Sequence, residues 1–325
     1  MPSFAAVYPF HDRDRLTLRG EPDWDVDREP VSRSADRVVF SLEPAPIREV
    51  KVVLHRDGQA HWSLGANWIV RGDQDRVAHP VFFDGAGHLT ERLQVPSAVL
   101  GEPFEVRLFL PAGYHENTAR RYVTLYALDG ANLFDPAESF SGSEWQLDET
   151  LALLDQMSIV DKVLVVGVYA RDGRRTEDYT APGYVATARA LVEDLVPAID
   201  AGYRTRAGRE SRAILGSSLG GVAALHTLLA HGSVFGAAAA LSGTFGWQDD
   251  LAERITAAGG VRGKIYLDAG YPNDNFERVR RMAYTLADRG AQLRYVAHPR
   301  GLHSEAHWAA RLHLPLQYLF GDARH

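Results

Sequence analysis

Apolar positions in the first third of the chain fall into short runs that alternate with polar residues. Clusters of glycine, proline and aspartate separate these runs, and no stretch shows a helical period. Short alternating runs between turn residues are typical of a β-sandwich. We therefore expect a small β-sandwich domain over residues 1–95. Its predicted strands are 16–18, 38–42, 50–55, 68–71 and 81–83.

From residue 96 to residue 325 the pattern alternates between apolar runs of strand length and segments with helical spacing. Repeated strand–helix units predict an α/β fold, a mostly parallel sheet with helices on both faces. In such sheets the ligand site lies at the carboxyl ends of the strands. The predicted strands are 104–110, 122–128, 163–169, 212–215, 237–241, 264–267 and 293–297. The predicted helices are 147–157, 185–201, one from residue 219, 251–258, 276–289 and 305–320.

A Gly-x-Ser-x-Gly pentad from Gly216 to Gly220 directly follows the predicted strand 212–215. This pattern places a serine on a sharp turn between a strand and a helix, where its hydroxyl stands exposed above the sheet. The two glycines allow the strand and the helix to pass close to each other. We therefore predict that Ser218 is a nucleophile.

A serine hydroxyl needs a base within hydrogen-bond reach and a third group that orients the base. In this type of fold the base is a histidine that comes last in the chain, after the acid. The segment after strand 293–297 contains His298, His303 and His307. His303 follows a glycine in the turn that opens the last helix, from where an imidazole can reach back over the sheet. His303 is the favoured base, with His298 and His307 as alternatives.

The orienting acid should follow the strand 264–267, which precedes the histidine segment. Asp274 lies in the loop beyond the strand end, where a carboxylate can turn towards a histidine. Asp268 is still within the strand, and Glu277 suits the first turn of the next helix. Asp274 is the favoured acid, and Asp268 and Glu277 remain as alternatives.

Ester chemistry at a serine also needs two backbone N–H groups that stabilise an oxyanion. One should come from Leu219, the residue after the nucleophile. The second should come from Ala131, in the turn that follows strand 122–128. Arg174 and Glu177 follow another strand end and are candidates for substrate binding, although an ion pair beneath the site would also explain the glutamate.

Composition and charge limit the functional classes. A formal charge of −7 and a pI near 6.0 disfavour nucleic acid or an anionic membrane as partner. The absence of cysteine excludes disulfides, thiolate metal sites and cysteine nucleophiles. No leader pattern precedes residue 15 and no segment has the apolar length of a membrane span. We expect a cytoplasmic protein that needs no metal or cofactor, acts on a small-molecule ester and is compatible with a homo-oligomer.

The second part carries a set of short motifs in a characteristic order: Leu128-Asp129-Gly130, Arg-x-x-Glu-x-Tyr over 174–179, the pentad extended to Gly221, Phe235-Gly236, Leu241-Ser242-Gly243, and Gly-x-His over 301–303 with Trp308. Together they resemble the esterase D-like branch of the α/β-hydrolases, the putative-esterase family. That family includes enterochelin-type esterases, feruloyl and acetyl-xylan esterases, S-formylglutathione hydrolases and mycolyltransferases. The resemblance implies an α/β-hydrolase fold from about residue 102 to 320, with Ser218 as nucleophile, Asp274 as acid and His303 as base.

The first part resembles the Ig-like or starch-binding-like sandwiches that precede some of these esterases. Its tryptophans, Trp24, Trp62 and Trp68, are expected to pack the sandwich or its interface with the second part, and a carbohydrate platform is the alternative.

The sequence thus predicts a serine carboxylic ester hydrolase that works through an acyl-enzyme, with siderophore or other small-molecule esters as substrates. An acyltransferase on the same fold is an alternative function. A catalytically silent, carbohydrate-binding protein with a hydrolase fold is another.

Overall fold

The computed structural model describes residues 1–11 and 13–321. Within these residues, the strands before residue 79 form two sheets that face each other. One has the strand order β4-β5-β1-β9, and the other has β3-β2-β6-β7 with β8 also paired to β6. The strands are β1 Ser3–Val7, β2 Arg15–Gly20, β3 Asp23–Arg28, β4 Ser32–Arg33, β5 Arg37–Ser41, β6 Ala45–Arg56, β7 Gln59–Trp62, β8 Trp68–Gly72 and β9 Arg76–Ala78.

Apolar side chains from both sheets form one buried core, as in a sandwich. Phe4 and Phe40 from the first sheet meet Leu18 and Leu54 from the second, and none is more than 1% exposed. The predicted β-sandwich is therefore confirmed. The predicted strand 81–83 is wrong, since these residues form a bend instead of a strand.

The tryptophans of this part occupy two different environments. Trp68 lies against the sandwich core, with its ring centroid 5.8 Å from that of Phe4. Trp62 is 41% exposed, and its ring lies 6.4 Å from Trp24, with the guanidinium of Arg19 5.3 Å from its centroid. Trp68 therefore packs the sandwich, whereas Trp24 and Trp62 form an outer aromatic pair.

The rest of the chain builds a sheet of nine strands in the order β10-β12-β14-β13-β15-β16-β17-β18, with β11 also paired to β12. From β14 to β18 all pairings are parallel, and β12 is antiparallel to β14. The strands are β10 His88–Leu89, β11 Leu93–Val95, β12 Phe104–Leu110, β13 Val123–Leu128, β14 Val163–Val168, β15 Arg212–Ser217, β16 Ala237–Leu241, β17 Lys264–Tyr271 and β18 Gln292–Pro299.

Helices cover both faces of this sheet, each over its own apolar cluster. Helices α1, α8 and α9 lie on one face, and α3 to α7 lie on the other. In the described ranges no helix combines the length and apolarity that crossing a membrane requires. The helices are α1 Leu147–Gln156, α2 Arg175–Tyr179, α3 Gly183–Ala190, a π-helical turn Leu191–Leu195, α4 Val196–Gly202, α5 Leu219–Ala230, α6 Leu251–Ala257, α7 Phe276–Ala287, α8 Glu305–Arg311 and α9 His313–Phe320.

The predicted α/β architecture is confirmed, with differences at element ends. Strand β17 continues to Tyr271, beyond the predicted 264–267, because it stays paired with β18. The single helix predicted over 305–320 is two helices that meet at Leu312. Strands β10 and β11 precede residue 96, yet they pair with strand β12 of the larger sheet. Judged by strand pairing, the sandwich therefore ends at Ala78 and the larger sheet begins at His88.

Glu116, between β12 and β13, joins the two parts of the chain. Its carboxylate accepts hydrogen bonds from the Tyr8 hydroxyl and from the backbone amides of residues 82–84, over distances of 2.7 to 3.0 Å. The next residue, Asn117, is fully buried and donates to the carbonyls of Val7 and Pro80. The amides of 82–84 thus bond a side chain rather than a neighbouring strand.

Candidate active site

Ser218 occupies a strained turn between β15 and α5. Its backbone has φ 53° and ψ −119°, a left-handed conformation that non-glycine residues rarely adopt. The turn is sharp enough that a Cβ on Gly216 would lie 2.4 Å from the backbone of Gly220. Gly216 is therefore required by the close crossing of strand and helix, and the turn lifts Ser218 above the carboxyl end of β15.

His303 connects Ser218 to Asp274 through both nitrogens of its ring. Nε2 lies 3.0 Å from the Ser218 Oγ, and Nδ1 lies 2.7 Å from the Asp274 Oδ1. When Nδ1–H donates to the ionised carboxylate, Nε2 is left with a lone pair that faces the serine hydroxyl. The structure thus brings together three residues that the sequence predicts as nucleophile, base and acid.

Asp274 is almost completely buried and is surrounded by donors. Its Oδ2 accepts hydrogen bonds from the Ser242 hydroxyl at 2.6 Å, the Gly270 amide at 2.9 Å and Arg311 Nη2 at 3.0 Å. Burial acts to raise the pKa of Asp274, but these three donors and His303 outweigh it and hold the pKa well below its ordinary value. Asp274 is therefore ionised throughout the neutral pH range.

Thr244 is a second neighbour of the serine hydroxyl. Its Oγ1 lies 3.0 Å from the Ser218 Oγ, and its amide donates to the Ser218 carbonyl. The side-chain amide of Asn275 donates to the Ser242 carbonyl and lies 3.4 Å from the Thr244 Oγ1. The loop after β16 is therefore fixed against the nucleophile turn.

The predicted oxyanion donors lie on two adjacent strand ends. Leu219 is the first residue of α5, where backbone N–H groups have no partner within the helix. Ala131 lies in a 3₁₀ turn, Gly130–Asn132, that directly follows β13. Because β13 pairs with β15, this turn lies beside the nucleophile turn.

Arg175 anchors the turn that carries Ala131. Its Nε and Nη2 donate to the two carboxylate oxygens of Asp129 at 2.6 and 2.7 Å. Asp129 itself is buried and has a positive φ of 62°. A bidentate pair of this kind fixes both the position and the orientation of the carboxylate, and it therefore stabilises the strained residue.

Arg174 and Glu177 pair with each other. Arg174 Nη2 lies 2.8 Å from the Glu177 Oε1, and the two side chains are 47% and 63% exposed. The ion pair therefore lies at the surface, not beneath the site. The pairs of this segment that involve buried carboxylates join the half-buried Arg175 to Asp129 and Arg171 to Asp178.

Among the described residues, none of the alternative acids and bases makes a hydrogen bond to the side chain of Ser218 or His303. Asp268 is buried in β17 and lies 3.4 Å from the His298 Nε2, so these two residues face each other. Glu277 is exposed on α7 and pairs with Arg280, and His307 lies on α8.

Sequence reasoning assigned no role to the residues behind Asp274. Ser242 and Arg311 contact its carboxylate, and Trp308 packs edge-on against His303 with ring centroids 5.0 Å apart. Arg311 is the last residue of α8 and comes eight residues after His303. It reaches the Asp274 carboxylate because of the way in which α8 packs. No sequence signal identifies such a contact.

One carboxylate cluster could be considered for a metal. Glu144, Asp148 and Glu149 bring oxygen atoms within 4.8 Å of one another at the start of α1. Burial, followed by the neighbouring Glu149, raises the pKa of Asp148 to about 7. Such clusters are common without an ion, and within the part of the chain that the structure describes this one makes no hydrogen bond to Ser218, His303 or Asp274.

The fold and the site define an enzyme of the α/β-hydrolase class. Residues 97–318 match the family model described as Putative esterase. The chain belongs to this family, which makes it a carboxylic ester hydrolase. A search of curated proteins finds no match.

Several solved structures share the fold. A ferric enterobactin esterase from Salmonella typhimurium is 15% identical, with a TM-score of 0.60, and the match covers 94% of this chain and 88% of that one. A CE1 ferulic acid esterase from Anaeromyces mucronatus is 16% identical, with a TM-score of 0.59, over 71% of this chain and 90% of that one. An IroE-like serine hydrolase from Shewanella oneidensis is 21% identical, with a TM-score of 0.57, over 71% and 79%.

Proposed function

We propose that the protein hydrolyses carboxylic esters through a catalytic triad of Ser218, His303 and Asp274. The Ser218 Oγ attacks the ester carbonyl while His303 Nε2 takes the hydroxyl proton. The tetrahedral intermediate carries its negative charge on the former carbonyl oxygen, which accepts hydrogen bonds from the amides of Leu219 and Ala131.

The intermediate then collapses to an acyl-enzyme. His303 returns its proton to the leaving alcohol oxygen, and the carbonyl carbon stays bonded to the Ser218 Oγ. A water molecule attacks this carbonyl while His303 takes one of its protons. The bond from the carbonyl carbon to the Ser218 Oγ then breaks, His303 returns the proton to Oγ, and the carboxylic acid leaves. Asp274 remains ionised throughout and keeps Nδ1 protonated, so that Nε2 is the nitrogen that exchanges the proton.

The observation that carries the proposal is the continuous hydrogen-bonded series from Ser218 through His303 to Asp274, at 3.0 and 2.7 Å. Its position at the carboxyl ends of parallel strands suits the chemistry. The strained turn at Ser218 exposes the hydroxyl to substrate rather than to the core.

For the substrate we propose a small-molecule ester of the enterobactin type. The matched enterobactin esterase aligns with 94% of this chain and thus with both of its parts, whereas the ferulic acid esterase aligns with 71%. A cytoplasmic location and a homo-oligomeric state remain predictions from the sequence.

The test is hydrolysis of p-nitrophenyl acetate by the full chain and by Ser218→Ala. We expect the variant to lose activity by about 10⁴-fold or more, while the exposed Ser233→Ala serves as matched control and keeps wild-type activity. Unchanged hydrolysis by Ser218→Ala would contradict the triad. Enterobactin and a feruloyl ester, compared by kcat/KM, then test the substrate class. Transfer of the acyl group to an added alcohol would instead indicate an acyltransferase.

A further inference from the structure

Two carboxylates lie buried side by side behind His303, and one arginine bridges them. Asp268 and Asp274 both belong to the end of β17 and its loop, and their side chains are 0% exposed. Arg311 Nη2 lies 3.2 Å from the Asp268 Oδ1 and 3.0 Å from the Asp274 Oδ2. Arg311 is itself only 5% exposed, so bulk solvent screens this contact little.

Two neighbouring carboxylates without a counter-charge do not both stay ionised. Their mutual repulsion and their burial favour the uptake of a proton by the pair. A guanidinium does not release its proton in proteins, so Arg311 supplies a positive charge that is independent of pH. It is thereby placed to keep Asp274 in its ionised form beside the second buried carboxylate.

We propose that Arg311 is a positioning residue of the candidate active site, which keeps Asp274 ionised and directed at His303 despite the buried carboxylate of Asp268. The proposal rests on the proposed function. Arg311 does not reach the substrate; it acts through Asp274, whose other oxygen holds the imidazole.

The hydroxyl of Ser242 links Arg311 to Asp274 by hydrogen bonds whose direction is fixed. Both Trp308 Nε1 and Arg311 Nη2 donate hydrogen bonds to the Ser242 Oγ. A hydroxyl that accepts two hydrogen bonds has one proton left to give, and here that proton faces the Asp274 Oδ2 at 2.6 Å. Arg311 therefore contacts Asp274 both directly and through Ser242.

The remaining groups that face this centre lie on β17 and β18. The Tyr266 hydroxyl donates to the Asp268 Oδ2 at 3.1 Å, and burial raises the pKa of Tyr266 above its ordinary value, so it stays a donor. His298 Nε2 lies 3.4 Å from the same oxygen. Of these charged and titratable groups, Arg311 is the one that touches both carboxylates.

The hydrogen bonds of Arg311 do not by themselves explain why an arginine is buried at this position. Its Nε and Nη1 are buried and have no hydrogen-bond partner among residues 1–11 and 13–321. Buried donors without partners destabilise a folded protein. A buried arginine that destabilises the fold in this way is expected where its positive charge serves a function. Here that charge lies against the Asp274 carboxylate.

The test compares Arg311→Met with Arg311→Lys, each with and without Asp268→Asn, by the pH profile of kcat/KM on p-nitrophenyl acetate. Arg311→Met should lower kcat by about 10- to 100-fold at neutral pH and move the acid limb to higher pH, with KM changed by less than about threefold. Adding Asp268→Asn removes the repulsion, so it should recover most of the loss. Arg311→Lys keeps the charge and should keep the wild-type acid limb. The exposed Arg189→Met is the matched control.

An unshifted profile in Arg311→Met, or a deeper loss when Asp268→Asn is added, would overturn the proposal. If Arg311→Met alone does not fold, a wild-type acid limb in the double variant and in Arg311→Lys supports it, and a shifted limb in both refutes it.

Unfolding measurements separate this inference from the proposed function. The proton taken up by the folded Arg311→Met variant should make its stability, relative to wild type, rise as the pH falls from 7.5 to 5. Asp268→Asn should abolish that rise. This readout needs no esterase activity, so its absence would refute the role of Arg311 even if Ser218 catalyses hydrolysis.

Discussion

His303 Nε2 lies 3.0 Å from the Ser218 Oγ, although 85 residues separate the two in the chain. The contact depends on two different local structures. Ser218 is raised by the strained turn between β15 and α5, and His303 extends from the loop between β18 and α8. Each side chain is placed by the end of its own strand, and the parallel sheet brings the two ends to the same edge.

The acid of the triad can be assigned by substitution. Asp274→Asn keeps the size of the side chain but removes the charge that holds Nδ1 protonated, so kcat should fall by about 10⁴-fold. Glu277→Gln should retain wild-type activity, because Glu277 is exposed and pairs with Arg280. Steady-state hydrolysis of p-nitrophenyl acetate measures both. Equal losses in the two variants would be incompatible with Asp274 as the acid.

Asp274 should also govern stability at low pH. Its pKa in the folded protein lies below the ordinary value of 3.8. The ionised group therefore contributes stability that is complete above about pH 4 and is lost as the pH falls towards the folded pKa. The difference in unfolding free energy between wild type and Asp274→Asn, from denaturant titrations, should be constant from pH 7 to 5 and shrink below pH 4. A difference that grows on acidification would contradict this sign.

A third prediction concerns Arg175, which anchors the turn Gly130–Asn132 and with it the proposed oxyanion donor Ala131. Lysine cannot reproduce the two parallel hydrogen bonds from Arg175 to Asp129, so Arg175→Lys should let the Ala131 turn shift and lower kcat by about 10- to 100-fold. Arg189→Lys is the matched control, since that side chain is exposed on α3 and pairs with Glu193. A large rise in KM for Arg174→Lys would instead assign the Arg174–Glu177 pair to substrate binding.

The hydrogen bonds by which Glu116 joins the two parts of the chain should contribute to the free energy of unfolding. Each Glu116 oxygen accepts two of the four hydrogen bonds from Tyr8 and residues 82–84, so Glu116→Gln, which replaces one oxygen by a donor, leaves two of these groups without their acceptor. The unfolding free energy should fall by about 1–3 kcal/mol. The exposed Glu91→Gln is expected to have no effect. Equal stability of both variants would show that the carboxylate does not join the two parts.

Apolar patterning predicts the strands that are buried on both sides and fails where strands are polar. The bounds of β16, a continuous apolar run that is buried throughout, agree with the predicted 237–241. Those of β12 agree with 104–110, where apolar residues first alternate with Glu105 and Arg107 and then form a buried apolar run. Strand β3, Asp-Trp-Asp-Val-Asp-Arg, does alternate polar and apolar residues, but it is rich in aspartate, which is rare in strands, and none of its residues is buried. The segment 81–83 reads as a strand but bonds a distant glutamate side chain, a partner that local pattern cannot reveal.

The same division applies to the site. Ser218, Asp274 and His303 could be predicted because each follows a strand, and strand ends in a parallel sheet converge. Arg175 occupies an unspecified position of the Arg-x-x-Glu-x-Tyr motif, and its pairing with Asp129 could not be predicted from the sequence. Arg311 lies on α8, and its contact with the carboxylates of Asp268 and Asp274 depends on how that helix packs.

The most direct test of the central claim is covalent labelling by a fluorophosphonate, with the modified residue identified by mass spectrometry. We expect one phosphonylated residue per chain, Ser218, with labelling abolished in His303→Ala and unchanged in Ser233→Ala. Stoichiometric labelling at another residue, or none in a wild-type protein that hydrolyses p-nitrophenyl acetate, would contradict the assignment of Ser218 as the nucleophile.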